Sequence, residues 1–205
     1  MHYYRLLETA GYPTLSIDGI RMHRTKDMKP EEDTKAKIRA LNIRGGVVLD
    51  TCCGLGYTAI ESAKYADKVV TVEKSPEVVE IAKQSSYSRE LFNNGKITLV
   101  EGDVFNVIKE FSDEYFNYIV HDPPRLVFAG ELYGGEFYRG LFRVLKPKGR
   151  MFHYIGSPGA KYRNRNIKKG VVRRLMDAGF MVEKRDNLLG LICIKNQALN
   201  RNNIF

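Results

Sequence analysis

With 205 residues and 43% hydrophobic content, the chain has the size and composition of one domain with a sizeable core. No apolar run approaches the roughly 20 residues of a membrane span, and Met1-His2-Tyr3-Tyr4-Arg5 lacks the apolar core of a signal peptide, so a cytoplasmic protein is expected. The net charge of +9 is lopsided: residues 1–138 carry 17 Lys+Arg against 21 Asp+Glu, and residues 139–205 carry 16 against 3.

Residues 1–45 stand apart as an N-terminal segment ahead of a domain over residues 46–205. Short apolar runs at Val47–Asp50, Lys68–Glu73, Lys96–Glu101 and Tyr118–Asp122 read as strands, each ending near a carboxylate. Helix-period segments lie between them at Tyr57–Ala66, Pro76–Ser85 (with Ser75 as N-cap) and Val104–Phe111. Helix Glu136–Leu145, a turn at Lys146-Pro147-Lys148-Gly149 and strand Arg150–Tyr154 follow. The stretch Lys161–Lys169 reads as a basic loop entering helix Gly170–Ala178. Strands Phe180–Lys184 and Leu188–Lys195 are separated only by Arg185–Asn187, which fits an antiparallel hairpin. The expected fold is α/β: a mostly parallel seven-stranded sheet with helices on both faces and a C-terminal antiparallel hairpin.

In such a sheet, ligands bind beyond the carboxyl ends of the strands. Asp50, Glu73, Asp103 and Asp122 all fall at those ends and form a row along one edge. Between Asp50 and the next helix runs Thr51-Cys52-Cys53-Gly54-Leu55-Gly56-Tyr57-Thr58. Gly54 and Gly56 allow positive φ and a close backbone approach to a ligand. As Gly54-x-Gly56-x-x-Ala59 the loop fits a dinucleotide fingerprint, with Glu73 at the roughly 20-residue distance expected of a ribose-binding acid. Three residues separate Asp50 from Gly54, however, and a carboxylate at the strand end repels pyrophosphate and can receive an amino acid's ammonium. The adjacent Cys52-Cys53 pair suits neither a disulfide framework nor a metal clip, so no metal is expected.

On these residues the chain resembles the class I S-adenosylmethionine-dependent methyltransferases. Asp50-x-Cys52-Cys53-Gly54-x-Gly56 is similar to the family's first motif, Glu73 to its ribose-binding acid, Gly102-Asp103 to the acid that reads the adenine amino group, and His121-Asp122-Pro123-Pro124-Arg125 to its catalytic fourth motif. With Met22-His23-Arg24-Thr25 and Leu132-Tyr133, the set is similar to an uncharacterised group of predicted archaeal methyltransferases. The resemblance implies a Rossmann-like domain whose cofactor is S-adenosylmethionine, released as S-adenosylhomocysteine. It implies that Asp50, Cys52, Cys53, Gly54, Gly56, Tyr57, Thr58, Glu73, Lys74, Asp103 and Val104 bind that cofactor. It further implies that residues 1–45 close over the methionine end, where Arg24 can pair with the carboxylate.

The catalytic candidates are Asp122, Pro123, Pro124, Arg125 and His121. Two prolines hold the backbone so that carbonyls and Asp122 face an acceptor N–H. His121 is either a general base or, by strand alternation, a structural residue pointing away from Asp122. Amino-methylating relatives have an aromatic residue after the prolines; Arg125 stands there instead and suits phosphate or carboxylate. Asp-Pro-Pro-Arg is also similar to the motif of RNA 5-methyluridine enzymes, which attack through a cysteine, and no cysteine is placed for that. Tyr133, Tyr138 and Tyr162 are stacking candidates, and Gly156–Gly159 a rim loop. The basic C-terminal third points to RNA as the methyl acceptor's carrier. A small-molecule or protein methyltransferase, an aminopropyltransferase of the spermidine-synthase type, a non-enzymatic nucleic-acid binder and a nicotinamide oxidoreductase are the alternatives.

Overall fold

The computed structural model describes residues 2–156 and 161–196. The N-terminal segment is built of regular elements. Strands β1 (Tyr4–Leu7), β2 (Thr14–Ile17) and β3 (Ile20–Arg21) form a three-stranded antiparallel sheet, with Asp18 and Gly19 at positive φ in the turn between β2 and β3. Helix α1 (Pro30–Leu41) follows. It starts on Pro30, whose missing N–H costs nothing at a first turn, and carries Glu31, Glu32 and Asp33 against the positive end of its dipole. Asn42 at φ 57° ends it in a left-handed cap.

The main domain runs β4 (Val47–Asp50), α2 (Tyr57–Ala63), β5 (Lys68–Glu73), α3 (Pro76–Gln84), α4 (Arg89–Asn93), β6 (Ile97–Glu101), α5 (Val104–Val107), β7 (Phe116–His121), α6 (Gly135–Val144), β8 (Leu145–Tyr154), α7 (Lys161–Asp177), β9 (Phe180–Arg185) and β10 (Gly190–Lys195). Its seven strands lie in the order β6-β5-β4-β7-β8-β10-β9. All pairs are parallel except those of β10, which runs antiparallel to both β8 and β9. The expected sheet and hairpin are therefore present.

Period-two alternation sends neighbouring strand residues into two separate cores. Leu49, Val70, Ile119, Met151, Leu191 and Cys193 pack with α5, α6 and α7 on one face. Val48, Val69, Val120, Phe152 and Ile192 pack with α1, α2 and α3 on the other. Helices thus cover both faces.

Three element boundaries differ from expectation. The Lys146–Gly149 turn is a bulge inside β8: the register on β7 passes from Phe116↔Leu145 to Tyr118↔Arg150, and Lys148 sits at φ 64°. The basic stretch read as a loop is the first half of α7. Val104–Phe111 is one short α-turn followed by a 3-10 turn at Ile108–Glu110, where Arg143 takes the carbonyls of Ile108 and Phe111, both at 2.7 Å. Among the described residues, no helix is long and apolar enough to cross a membrane.

Candidate active site

The chain leaves β4 for β5 and β6 on one side and for β7 and β8 on the other, so the strand order reverses between β4 and β7. At that switch point the loops part and leave a crevice. A cavity of about 1380 Å³ opens there, walled by the glycine loop, the ends of β5 and β6, the Asp122–Ala129 loop, α7 and the 22–27 stretch after β3. Sheet order sets the strand-end acids side by side as Asp103, Glu73, Asp50 and Asp122. Glu73, Asp103 and Asp122 line the cavity.

Asp50 does not, which corrects its assignment as the receiver of a ligand's ammonium. It is fully buried, and its oxygens accept the hydroxyls of Thr58 at 3.1 Å and Thr71 at 2.8 Å. Burial pushes its carboxyl up to about 8 against those two donors. Asp50 organises the loop from beneath.

The two loop glycines do different work. A Cβ on Gly54, at φ 54°, would meet no atom within 4 Å, so its bare face opens on the cavity. Gly56, at φ 77°, faces the protein: a Cβ there would stand 2.8 Å from Leu91 of α4. Cys52 and Cys53 line the cavity as thiols, because burial drives both well above the usual cysteine value. Tyr57 donates its hydroxyl to the Pro13 carbonyl at 3.0 Å and packs on Tyr12 and His23, fastening the N-terminal segment over the loop.

Glu73 accepts the N–H of Gly54 at 2.8 Å on one oxygen and that of Ser75 at 3.0 Å on the other. Burial raises its carboxyl and these backbone donors oppose the rise. Each oxygen keeps a lone pair for a ligand hydroxyl. Asp103 caps α5 through the Phe105 N–H at 3.0 Å and pairs with Lys74 at 2.8 Å. Burial works against its charge, but Lys74 and that N–H hold it below the ordinary carboxylate value. Val104 lies buried beside it on the cavity wall.

Alternation separates the first two residues of the fourth motif. His121 points into the core of α6, fully buried, with one ring nitrogen 2.8 Å from the Thr51 hydroxyl and the other 3.0 Å from the Leu132 carbonyl. Burial pulls it down to about 3, so it stays neutral. It is a structural residue, and its reading as a general base is corrected. Asp122 points the other way, and its Oδ2 lies 2.6 Å from the ammonium of Lys37 in α1. Lys37 also meets Asp33 at 2.8 Å. Arg24 lines the cavity, but its Nη1 donates to Asp33 and to the Asn187 carbonyl, each at 3.1 Å. The carboxylate partner of Arg24 in the structure is thus Asp33, a correction to its reading as a free ligand for the methionine end. Pro123 and Pro124 line the wall, and the Pro124 carbonyl accepts the Tyr133 hydroxyl at 3.0 Å, which pins the loop. Arg125 is exposed at the mouth, and half-buried Lys168 of α7 lines the same cavity. Neither has a carboxylate within ion-pair distance among the described residues. Tyr138 is buried, its hydroxyl 2.9 Å from His153. Residues 157–159 of the rim loop and the Tyr162 side chain lie outside the described residues.

Residues 48–149 match the family model described as a methyltransferase domain. The uncharacterised protein MJ1233 of Methanocaldococcus jannaschii is 52% identical over 195 residues, covering 94% of this chain and 67% of that protein. The chain belongs to the class I S-adenosylmethionine-dependent methyltransferases. An uncharacterised RNA methyltransferase of Protochlamydia amoebophila is 36% identical over 83 residues, 39% of this chain and 18% of that one. Among solved structures, a spermidine synthase in complex with the analogue AdoDATO superposes with a TM-score of 0.76 at 17% identity, over 96% of this chain and 71% of that one.

The cavity of this methyltransferase suits its cofactor. The open face of Gly54, the lone pairs of Glu73 and the acceptor Asp103 beside apolar Val104 fit a glycine-cradled nucleoside with a diol and an exocyclic amine. Bound S-adenosylmethionine supplies a methyl group activated on a sulfonium. Lys37 and Asp33 were not among the sequence candidates; their signal is an i, i+4 acid–base pair on a helix whose inward face also holds Thr34, Ile38 and Leu41.

Proposed function

We propose that the enzyme methylates a nitrogen or oxygen acceptor carried on RNA. The supporting observation is that Lys168, on a helix with a basic flank, walls the same cavity as the cofactor acids, with Arg125 at its mouth. Both are cations suited to backbone phosphate beside the target nucleotide. With S-adenosylmethionine held by Glu73 and Asp103, its sulfonium would supply the methyl group to the acceptor's lone pair, keeping the S–C electron pair on sulfur, and the acceptor's proton would leave to solvent. Asp122 and the pinned Pro123-Pro124 turn contribute by orientation, which can remove several kcal/mol of barrier. Cys52 and Cys53, held as thiols, supply no thiolate for attack on a pyrimidine carbon.

The likeness to a spermidine synthase favours a second reading, in which an aminopropyl group passes from decarboxylated S-adenosylmethionine to an amine such as putrescine. A polycationic amine needs surplus carboxylates, and here the charge of Asp122 is already matched by Lys37. The test is to incubate the protein with methyl-labelled S-adenosylmethionine and total archaeal RNA, and in parallel with decarboxylated S-adenosylmethionine and putrescine. Label that is lost on RNase digestion is expected, with Lys168→Glu lowering the slope of log Kd against log salt by about one. Spermidine formed in the second mixture, with no label on RNA in the first, would replace RNA with the amine.

A further inference from the structure

We infer that Lys37 is the positioning residue for Asp122: it anchors one carboxylate oxygen from the buried side and leaves the other to meet the acceptor. The inference rests on the methyltransferase reading, in which Asp122 faces the acceptor. Lys37 itself lies behind the cavity wall, with its side chain only 7% exposed. Its ammonium is held by Asp122 Oδ2 at 2.6 Å, Asp33 Oδ2 at 2.8 Å and the Tyr154 ring at 4.5 Å. Arg24 steadies Asp33 in turn. Asp122 Oδ1 has no hydrogen-bond partner among the described residues, while the side chain is 21% exposed and lines the cavity. One oxygen is tied down and the other presented.

The ammonium also fixes the ionisation state of that oxygen. The titratable and charged groups acting on Asp122 and its anchor are Lys37 and Asp33 on α1, His23 and Arg24 after β3, Tyr154 on β8, Tyr133 before α6, and Asp50 and Cys52 at and just after the end of β4. Burial pushes the Asp122 carboxyl up, Asp33 adds to the rise, and Lys37 opposes both. Burial also works against the Lys37 charge, but its two carboxylates outweigh it and leave the ammonium raised. Without that cation, a largely buried carboxylate beside a second carboxylate holds its proton to higher pH. A protonated Asp122 donates a hydrogen bond where an acceptor N–H or O–H requires one to be accepted.

Carbon-13 NMR of aspartate-labelled protein tests this, with the Asp122 carboxyl signal identified by its loss in Asp122→Asn. In Lys37→Met the Asp122 midpoint should rise by about one pH unit or more, and Lys37→Arg should restore it. Asp33→Asn removes the opposing acid and keeps the cation, so it should lower the midpoint, and it serves if Lys37→Met does not fold. S-adenosylhomocysteine affinity should be unchanged in folded variants, and kcat on labelled RNA should fall in Lys37→Met with its acid limb moved to higher pH. An Asp122 midpoint unmoved in these variants would overturn the role of Lys37, even with RNA methylated normally. A moved midpoint with no RNA methylated would keep the role and discard RNA.

Discussion

At the residue scale, buried Asp50 carries a consequence for stability. Its carboxyl titrates near 4 in an unfolded chain and is pushed up to about 8 in the fold. Below the lower value both states hold the proton. Between the two values the unfolded chain has released it and the native chain has not, so stability falls by about 1.4 kcal/mol at most for each pH unit gained. Above the upper value the loss levels off. Urea denaturation from pH 4 to 9 should show this decline, and Asp50→Asn should flatten it. A decline of equal slope in the variant would mean that other groups produce it. Asp50 was legible in the sequence as a strand-end acid, but its direction was not, because motif spacing places a backbone and says nothing of two threonine hydroxyls closing on the carboxylate. His121 shows the reverse case: strand alternation alone already pointed it away from the site, and its buried ring bears that out.

At the scale of elements, the loop from β4 to α2 divides its labour between two glycines. Gly54→Ala adds a methyl to the open cradle and about 1–2 kcal/mol of left-handed strain. It should therefore weaken S-adenosylhomocysteine binding at least tenfold while costing modest stability. Gly56→Ala meets the same strain plus Leu91 at 2.8 Å, so it should lower the melting temperature more and spare the affinity of the folded fraction. Equal effects of the two would refute the division. Strands β4, β5 and β6 were readable almost to the residue because each is a short apolar run ending in an acid, whereas β7 begins two residues before the expected Tyr118 and stops at His121. The N-terminal sheet was not, since β1, β2 and β3 are only 4, 4 and 2 residues long and pair mainly with one another. Helix α1 hid for a different reason: its inward face holds Asp33, Thr34 and Lys37 as well as Ile38 and Leu41, which blurs the apolar period.

At the scale of the whole molecule, the fold brings opposite charges to the wall of one cavity. Glu73 and Asp103 come from the acidic first two-thirds of the chain. Lys168 comes from the basic last third and Arg125 from the loop after β7, and in the proposed reaction both face the acceptor. Both Asp33 and Lys37 belong to the N-terminal segment, so that segment braces the Asp122–Ala129 loop as well as covering the glycine loop through Tyr57. On this account Glu73 and Asp103, at the ends of neighbouring strands, hold S-adenosylmethionine, and isothermal titration of S-adenosylhomocysteine into the wild type and Glu73→Ala puts that to the test. Saturable one-to-one binding that weakens at least tenfold in Glu73→Ala is the expected result; no heat with the wild type, or equal affinity in the two proteins, would contradict it.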